Sequence, residues 1–355
     1  MQKKIPLYIL LLLSLVLFYG LGPYFPDFFT SVYNKIIYPK MDYFLSFFTY
    51  WIPFSLGDVL YAAVILFMIY KTISYIRKKN WKKLVPLWIG ALLLFFSLFQ
   101  LLWGLNNYKY SVVHQLQLNQ NYSQEALDTL TNELILKVNE LQLALTNDST
   151  QKVIFPKDLA LFNKTAKENY RKLPGNLQNI LTKNYINDVK PSLFSKFQSY
   201  TGFSGYFNPF THENQVNIEI PVVGMPVTVA HEMAHQLGIS SETEANFFGY
   251  QNMAHSVDLR FQYAANLYAL KYCLKEYHIQ NEEMYLSRFQ QLHSGVQQNI
   301  LDSEAFWMRR RNISSFFFKH LYGRFLKINN QKDGIKSYNK FVDLLINYNK
   351  KYPEI

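Results

Sequence analysis

The chain has 355 residues, 49% hydrophobic and 17% aromatic, with a formal charge of +11, so it has ample material for a core. Residues 1 to 104 hold 10 Lys and Arg against 3 Asp and Glu and carry +7 of that charge, so the basic balance is no argument for nucleic-acid binding. The single cysteine, Cys273, excludes an internal disulfide and sits in the apolar pattern Leu267, Leu270, Cys273, Leu274, where it reads as a small core residue.

Residues 1 to 105 form the expected membrane region. Ile5 to Leu21 is an apolar run that no Ala-x-Ala-like cleavage site follows, which favours an anchor over a removed signal peptide. A second span is expected over about 56–76 and a third over about 84–105. Lys3 and Lys4 precede the first span, and Arg77, Lys78, Lys79, Lys82 and Lys83 crowd the link between the second and third. The positive-inside rule then predicts a multi-pass protein of the cell membrane, N-terminus in the cytoplasm and residues 106–355 outside.

In that globular part, Ser123 caps a predicted amphipathic helix with apolar positions Leu127, Leu130, Leu134, Val138, Leu141 and Leu145. A weaker helical pattern covers 156–173. From Asn214 to Pro221 the period changes to two, which predicts a strand with Val216, Ile218 and Ile220 on one face. Gly205 to Asn217 could form a sheet edge for an extended substrate, with an ordinary half-buried strand as the alternative. After Tyr250 the chain reads as helical, and Arg309, Arg310 and Arg311 read as surface charge because consecutive residues point around a helix.

The chemistry concentrates in Gly224-Met-Pro-Val-Thr-Val-Ala-His231-Glu232-Met-Ala-His235-Gln-Leu-Gly238. Pro226 suits a first helical turn and Gly238 the position just past the end. At i and i+4, His231 and His235 share one face, about 5–6 Å apart at Cβ, and can grip one metal ion. Glu232 can reach a water on that metal without binding the ion itself. A third ligand is needed, and two carboxylates follow. Ser241 with Glu244 fits a capping box, which leaves Glu242 as the expected ligand and Asn246, one turn on, as its supporting polar partner; Glu244 stays the alternative.

His231-Glu-Met-Ala-His235 followed by Glu242-Thr-Glu-Ala-Asn246 resembles the gluzincin arrangement, in which a Glu on a second helix completes a His-His-Glu site. With Gly205-Tyr-Phe-Asn-Pro-Phe-Thr-His-Glu-Asn-Gln-Val-Asn217, Tyr322-Gly-Arg-Phe-Leu-Lys-Ile-Asn-Asn and Gly334-Ile-Lys-Ser-Tyr338, it is similar to a family of bacterial membrane proteins regarded as zinc metallopeptidases with a domain of unknown function. The resemblance implies Zn²⁺ and a peptidase-like fold. His-Glu-x-x-His-x-x-Gly also opens the metzincin motif, but Ser241 stands where that family has its third His.

The expectation is therefore a mainly α protein with a small β-sheet, an α+β gluzincin-like core, behind three transmembrane helices. It would be a membrane-anchored zinc metallopeptidase acting on a peptide or protein substrate, with Glu232 as general base and His231, His235 and Glu242 as ligands. The alternatives are a zinc amidohydrolase with another substrate and a membrane-anchored binding or assembly protein with structural zinc. Tyr206, Tyr250, His255 and Tyr338 are the candidate groups for stabilising an oxyanion.

Overall fold

A computed structural model describes residues 5–182, 186–330 and 338–353. Lys3, Lys4 and the stretch Gly334 to Ser337 lie outside the described residues. The protein is mainly helical, with one three-stranded sheet.

Among the described residues three stretches are long and apolar enough to cross a membrane, Leu7–Tyr24, Leu56–Arg77 and Trp81–Leu102, built on the α-helices Ile5–Leu21, Leu56–Arg77 and Leu84–Leu102. At 1.5 Å per residue they run about 25, 33 and 28 Å, close to the ~30 Å of a bilayer core. Ser55 caps the second by accepting a hydrogen bond from the Asp58 N–H at 3.0 Å. The third ends at Leu102, not at 105 as expected. There the Asn106 amide donates to the Trp103 carbonyl at 3.0 Å and the Asn107 amide to the Gly104 carbonyl at 2.9 Å. These local bonds favour a tighter 3₁₀-helix over Gly104–Tyr108 in place of α-helix.

The link between the first two spans is itself structured. Phe29–Ile37 winds as a π-helix and continues into the helix Tyr38–Thr49. Beyond its buried Tyr38 this helix is inside out: Asp42, Ser46 and Thr49 are buried against the globular part, while Phe44, Phe47 and Phe48 are exposed. Sequence periodicity hides such an element, because its polar stripe makes the internal contact and its apolar stripe faces outward.

In the globular part, Gln124–Thr146 and Leu159–Lys172 form the two expected helices, each capped, by Ser123 and Asp158. The core runs from Val112 to Tyr348 and includes the fully buried Cys273. Three strands, β1 (Lys190–Pro191), β2 (Gly205–Asn208) and β3 (Glu213–Val216), pair in the order β1-β3-β2, with β3 parallel to β1 and antiparallel to β2. Since β3 is the central strand, only the Gly205 side of the predicted substrate strand lies at an edge.

The strand also stops at Val216, short of the expected Pro221, and all four of its residues are buried instead of alternating. Asn217 is the reason. Its side-chain oxygen accepts from the Glu219 N–H at 3.0 Å while its amide donates to the Phe203 carbonyl at 3.0 Å. The side chain turns the backbone out of the ladder before Ile218 and Ile220 can continue it.

Candidate metal centre

The helix Met225–Gln236 carries the His-Glu-His motif, with Pro226 in its first turn and Gly238 just beyond its end at a φ of +82°. Apart from its site face it is buried in the core, through Val227, Val229, Ala230, Met233 and Ala234. The helix Glu242–Ala254 packs against it at close range: a Cβ at Gly249 would stand 3.0 Å from the Val227 carbonyl and 3.3 Å from the His231 nitrogen. Contacts that short are tighter than an ordinary Cβ makes, so glycine suits this close approach of the two backbones.

That approach brings the predicted residues together. His231 Nε2 and His235 Nε2 are 3.1 Å apart. Glu242 Oε2 lies 3.4 Å from His231 Nε2 and Glu242 Oε1 3.8 Å from His235 Nε2. A tetrahedral ion with bonds of about 2.0–2.1 Å has ligand atoms roughly 3.3–3.4 Å from one another, so the first two spacings lie close to one face of such a site and the third is wider. His231, Glu232 and His235 also each offer a ligand atom, all within 4.8 Å of one another, and this cluster could hold a metal ion. Glu232 is thus close enough to serve beside an ion or on it.

The histidines are oriented from behind. His235 Nδ1 donates to the Ile239 carbonyl at 2.7 Å, which leaves a lone pair on Nε2, the atom facing His231. The Trp103 indole packs edge-on to the same ring. Burial lowers the pKa of His235 to about 4, more than the nearby Glu242 raises it. His231 is partly buried, which by itself would lower its pKa, but hydrogen bonds to Glu242 and Asn246, with the charge of Glu232, move it up. Asn246 is in turn held by two tyrosines: it accepts from the Tyr268 hydroxyl at 2.8 Å and donates to Tyr272 at 3.2 Å.

The two carboxylates beside the histidines are set apart electrically. Burial would raise Glu242, but hydrogen bonds from His231 and Tyr322 and the neighbouring imidazoles bring it down to about 2. Glu232, 3% exposed, is pushed up to about 8 by burial. Its Oε2 has no hydrogen-bond partner among the described residues, although it is fully inside the protein. An unpaired buried carboxylate oxygen is costly, and an ion with its water would satisfy it. The chemistry of the donor set therefore fits a divalent metal.

Glu244 has a different job. Its Oε1 accepts from the Val112 N–H at 2.7 Å, and its charge interacts with Lys109. Ser241 does cap the helix through the Glu244 N–H, but the Glu244 side chain ties down the Lys109–Val112 segment, so the expected reciprocal box is only half formed.

Three of the four expected oxyanion groups have other partners. The Tyr206 hydroxyl donates to Asp58 at the start of the second span, Tyr250 is buried against Phe341, and His255 is exposed at a helix end, bonded to the Gln251 carbonyl. The side chain of Tyr338 lies outside the described residues. The tyrosine at the centre is Tyr322, on the helix Ile313–Ile328, whose hydroxyl donates to Glu242 Oε1 at 2.6 Å. Burial and the adjacent carboxylates hold its pKa far above the usual value, so it stays a donor.

A polar network from the link between the first two apolar helices supports the helix end. His212 Nδ1 bonds Asp42 at 2.9 Å, the Gln236 amide donates to the same carboxylate, and the Tyr38 hydroxyl donates to the Gln236 carbonyl at 3.0 Å.

Comparison with known proteins yields one result. A family model described as "Protein of unknown function (DUF3810)" matches residues 33–346, which include the second and third apolar helices and every residue of the centre. Neither the curated proteins nor the solved structures gave a match. The match spans well over half of the chain, and the protein therefore belongs to the DUF3810 family.

Proposed function

We propose that this protein is a membrane-anchored zinc metallopeptidase with a gluzincin-like centre, hydrolysing peptide bonds outside the cytoplasm. One observation carries the reading: two imidazole nitrogens and the Glu242 carboxylate stand 3.1–3.8 Å from one another, beside a buried Glu232 oxygen that lacks a partner among the described residues. His231, His235 and Glu242 would hold the ion, which when bound supplies a Lewis acid to polarise a scissile carbonyl and acidify water. Glu232 takes the proton from the attacking water and hands it to the leaving amine. Tyr322 offers its hydroxyl at the edge of the centre, while His235–Ile239 and His231–Asn246 keep both rings in register.

Orientation is part of the proposal. The basic Arg77–Lys83 link lies at the opposite ends of the second and third helices from Asp58 and Trp103, which touch the globular part. The positive-inside rule then puts that part outside.

The test is zinc content by elemental analysis of the purified protein, together with incubation in a mixed peptide library read by mass spectrometry. One zinc per chain and new peptide termini are expected. A zinc-loaded protein that cuts no peptide would overturn the peptidase reading in favour of another amide substrate or a structural ion.

Gly205 supplies a finer expectation. A Cβ there would stand 2.6 Å from Glu232 Oε1 and 2.6 Å from the Gln215 carbonyl. Gly205→Ala should displace the base and cut turnover by roughly 10-fold or more with zinc retained, since about 1 Å of misplacement can cost 10²-fold. Unchanged turnover in that variant would contradict the tight seating of the Glu232 carboxylate against Gly205.

A further inference from the structure

The helix Ile313–Ile328 presents an apolar face to the outside. Ile313, Phe316, Phe317, Leu321 and Ile328 are 51% to 89% exposed. The same sixteen residues contain Lys319, Arg324 and Lys327 and no Asp or Glu. Bulky apolar groups combined with exclusively basic charge are the composition of a helix lying in a membrane interface, where the cations meet anionic headgroups.

The face is continuous with the membrane-crossing helices at both ends. At its C-terminal end, buried Asn329 accepts from the Gln100 amide at 2.7 Å and from the Tyr19 hydroxyl at 3.1 Å, and Phe325 packs on Phe99. Those partners belong to the third and first apolar helices. At its other end Phe318 packs on Phe197 of the short helix Ser195–Thr201, and the exposed Leu193 next to that helix is anchored through its N–H to Asp58, at the start of the second. A helix distant in sequence is thus joined directly to the ends of the first and third, and to the second through the segment Leu193–Thr201.

We propose that the helix Ile313–Ile328 is seated in the headgroup and acyl-chain boundary of the same bilayer, as a fourth membrane-embedded element that closes over the metal centre. Its inner face carries Tyr322 to Glu242, so the centre sits at the membrane surface with its Tyr322 contact held by a lipid-borne helix. This goes beyond the catalytic reading and does not depend on it.

The test uses the full-length protein in nanodiscs of mixed zwitterionic and anionic lipid. A spin label is placed at Phe317→Cys; the native Cys273 is fully buried and stays unlabelled. Collision with oxygen, which concentrates in acyl chains, is compared with collision with a water-soluble nickel complex. Labels at Leu66→Cys in the second apolar helix and at Thr150→Cys on the exposed globular surface supply the lipid and water references. The expected oxygen-to-nickel ratio at 317 is severalfold above that at 150 and below that at 66, which stands at the middle of its helix. A ratio equal to that at 150 overturns the proposal, as does shielding from both reagents, which would mean that protein covers the face. Should Phe317→Cys fail to fold, Leu321→Cys, one turn further along the exposed face, reads the same quantity.

Discussion

Glu232→Gln should keep the metal and lose roughly 10²- to 10⁴-fold in turnover, the usual contribution of a positioned general base. Each tenfold corresponds to about 1.4 kcal/mol of transition-state stabilisation. The amide has the shape of the carboxyl group and cannot take a proton, and it suits a site where burial already holds the metal-free Glu232 near a pKa of 8. The variant also separates two roles that the cluster permits. If Glu232 were a fourth ligand closing a structural site, Glu232→Gln would lose zinc, and elemental analysis of the two proteins decides between them.

A pH dependence of stability follows from the same group, in the metal-stripped protein. The folded pKa of Glu232 lies above its ordinary 4.5, so between about 4.5 and 8 the unfolded chain binds fewer protons there than the folded one. Stability from this group is then lost as pH rises through that window. His235, lowered to about 4, works in the opposite direction below about 6.5. The Glu232 part is isolated by comparing wild type with Glu232→Gln, whose thermal midpoint should fall less between pH 5 and 8. Parallel curves would contradict the desolvation described above.

Loss of the metal is the second large effect. His235→Ala and Glu242→Ala should each weaken zinc binding by more than ~10²-fold, above the roughly 10- to 100-fold expected for a supporting residue such as Asn246. Zinc that binds only the folded protein at 100 times its Kd adds about 2.7 kcal/mol to stability. Wild type should therefore melt higher with zinc, and these two variants should not. Glu244→Ala is the control: it leaves the Val112 N–H and Lys109 without their buried carboxylate, so the apo protein should lose stability while the zinc increment persists. A zinc increment that vanished in Glu244→Ala and survived in Glu242→Ala would reverse the ligand assignment.

Much of the centre was legible because its parts are local. His231 and His235 share a helix face through i,i+4 spacing alone, Pro226 and Gly238 mark that helix, and Ser241 starts the next one within reach. The three apolar helices were equally plain, since length and composition suffice for them. Where local chemistry competed with a pattern, the pattern failed: Asn217 ended a strand that alternation would have carried to Pro221, and Asn106 and Asn107 stopped a helix at Leu102.

What the sequence by itself determined is the set of donor atoms and the apolar spans, both written in short-range spacing. Only the tertiary structure decided their company. Tyr322 meets Glu242 across 80 residues, Asp42 meets His212 across 170, and Gly205 makes room for the Glu232 carboxylate. The polar stripe of Tyr38–Thr49 and the apolar stripe of Ile313–Ile328 give the same reason in two forms. A periodic pattern states that a helix has two faces, and only what packs against each face states which of them is inside.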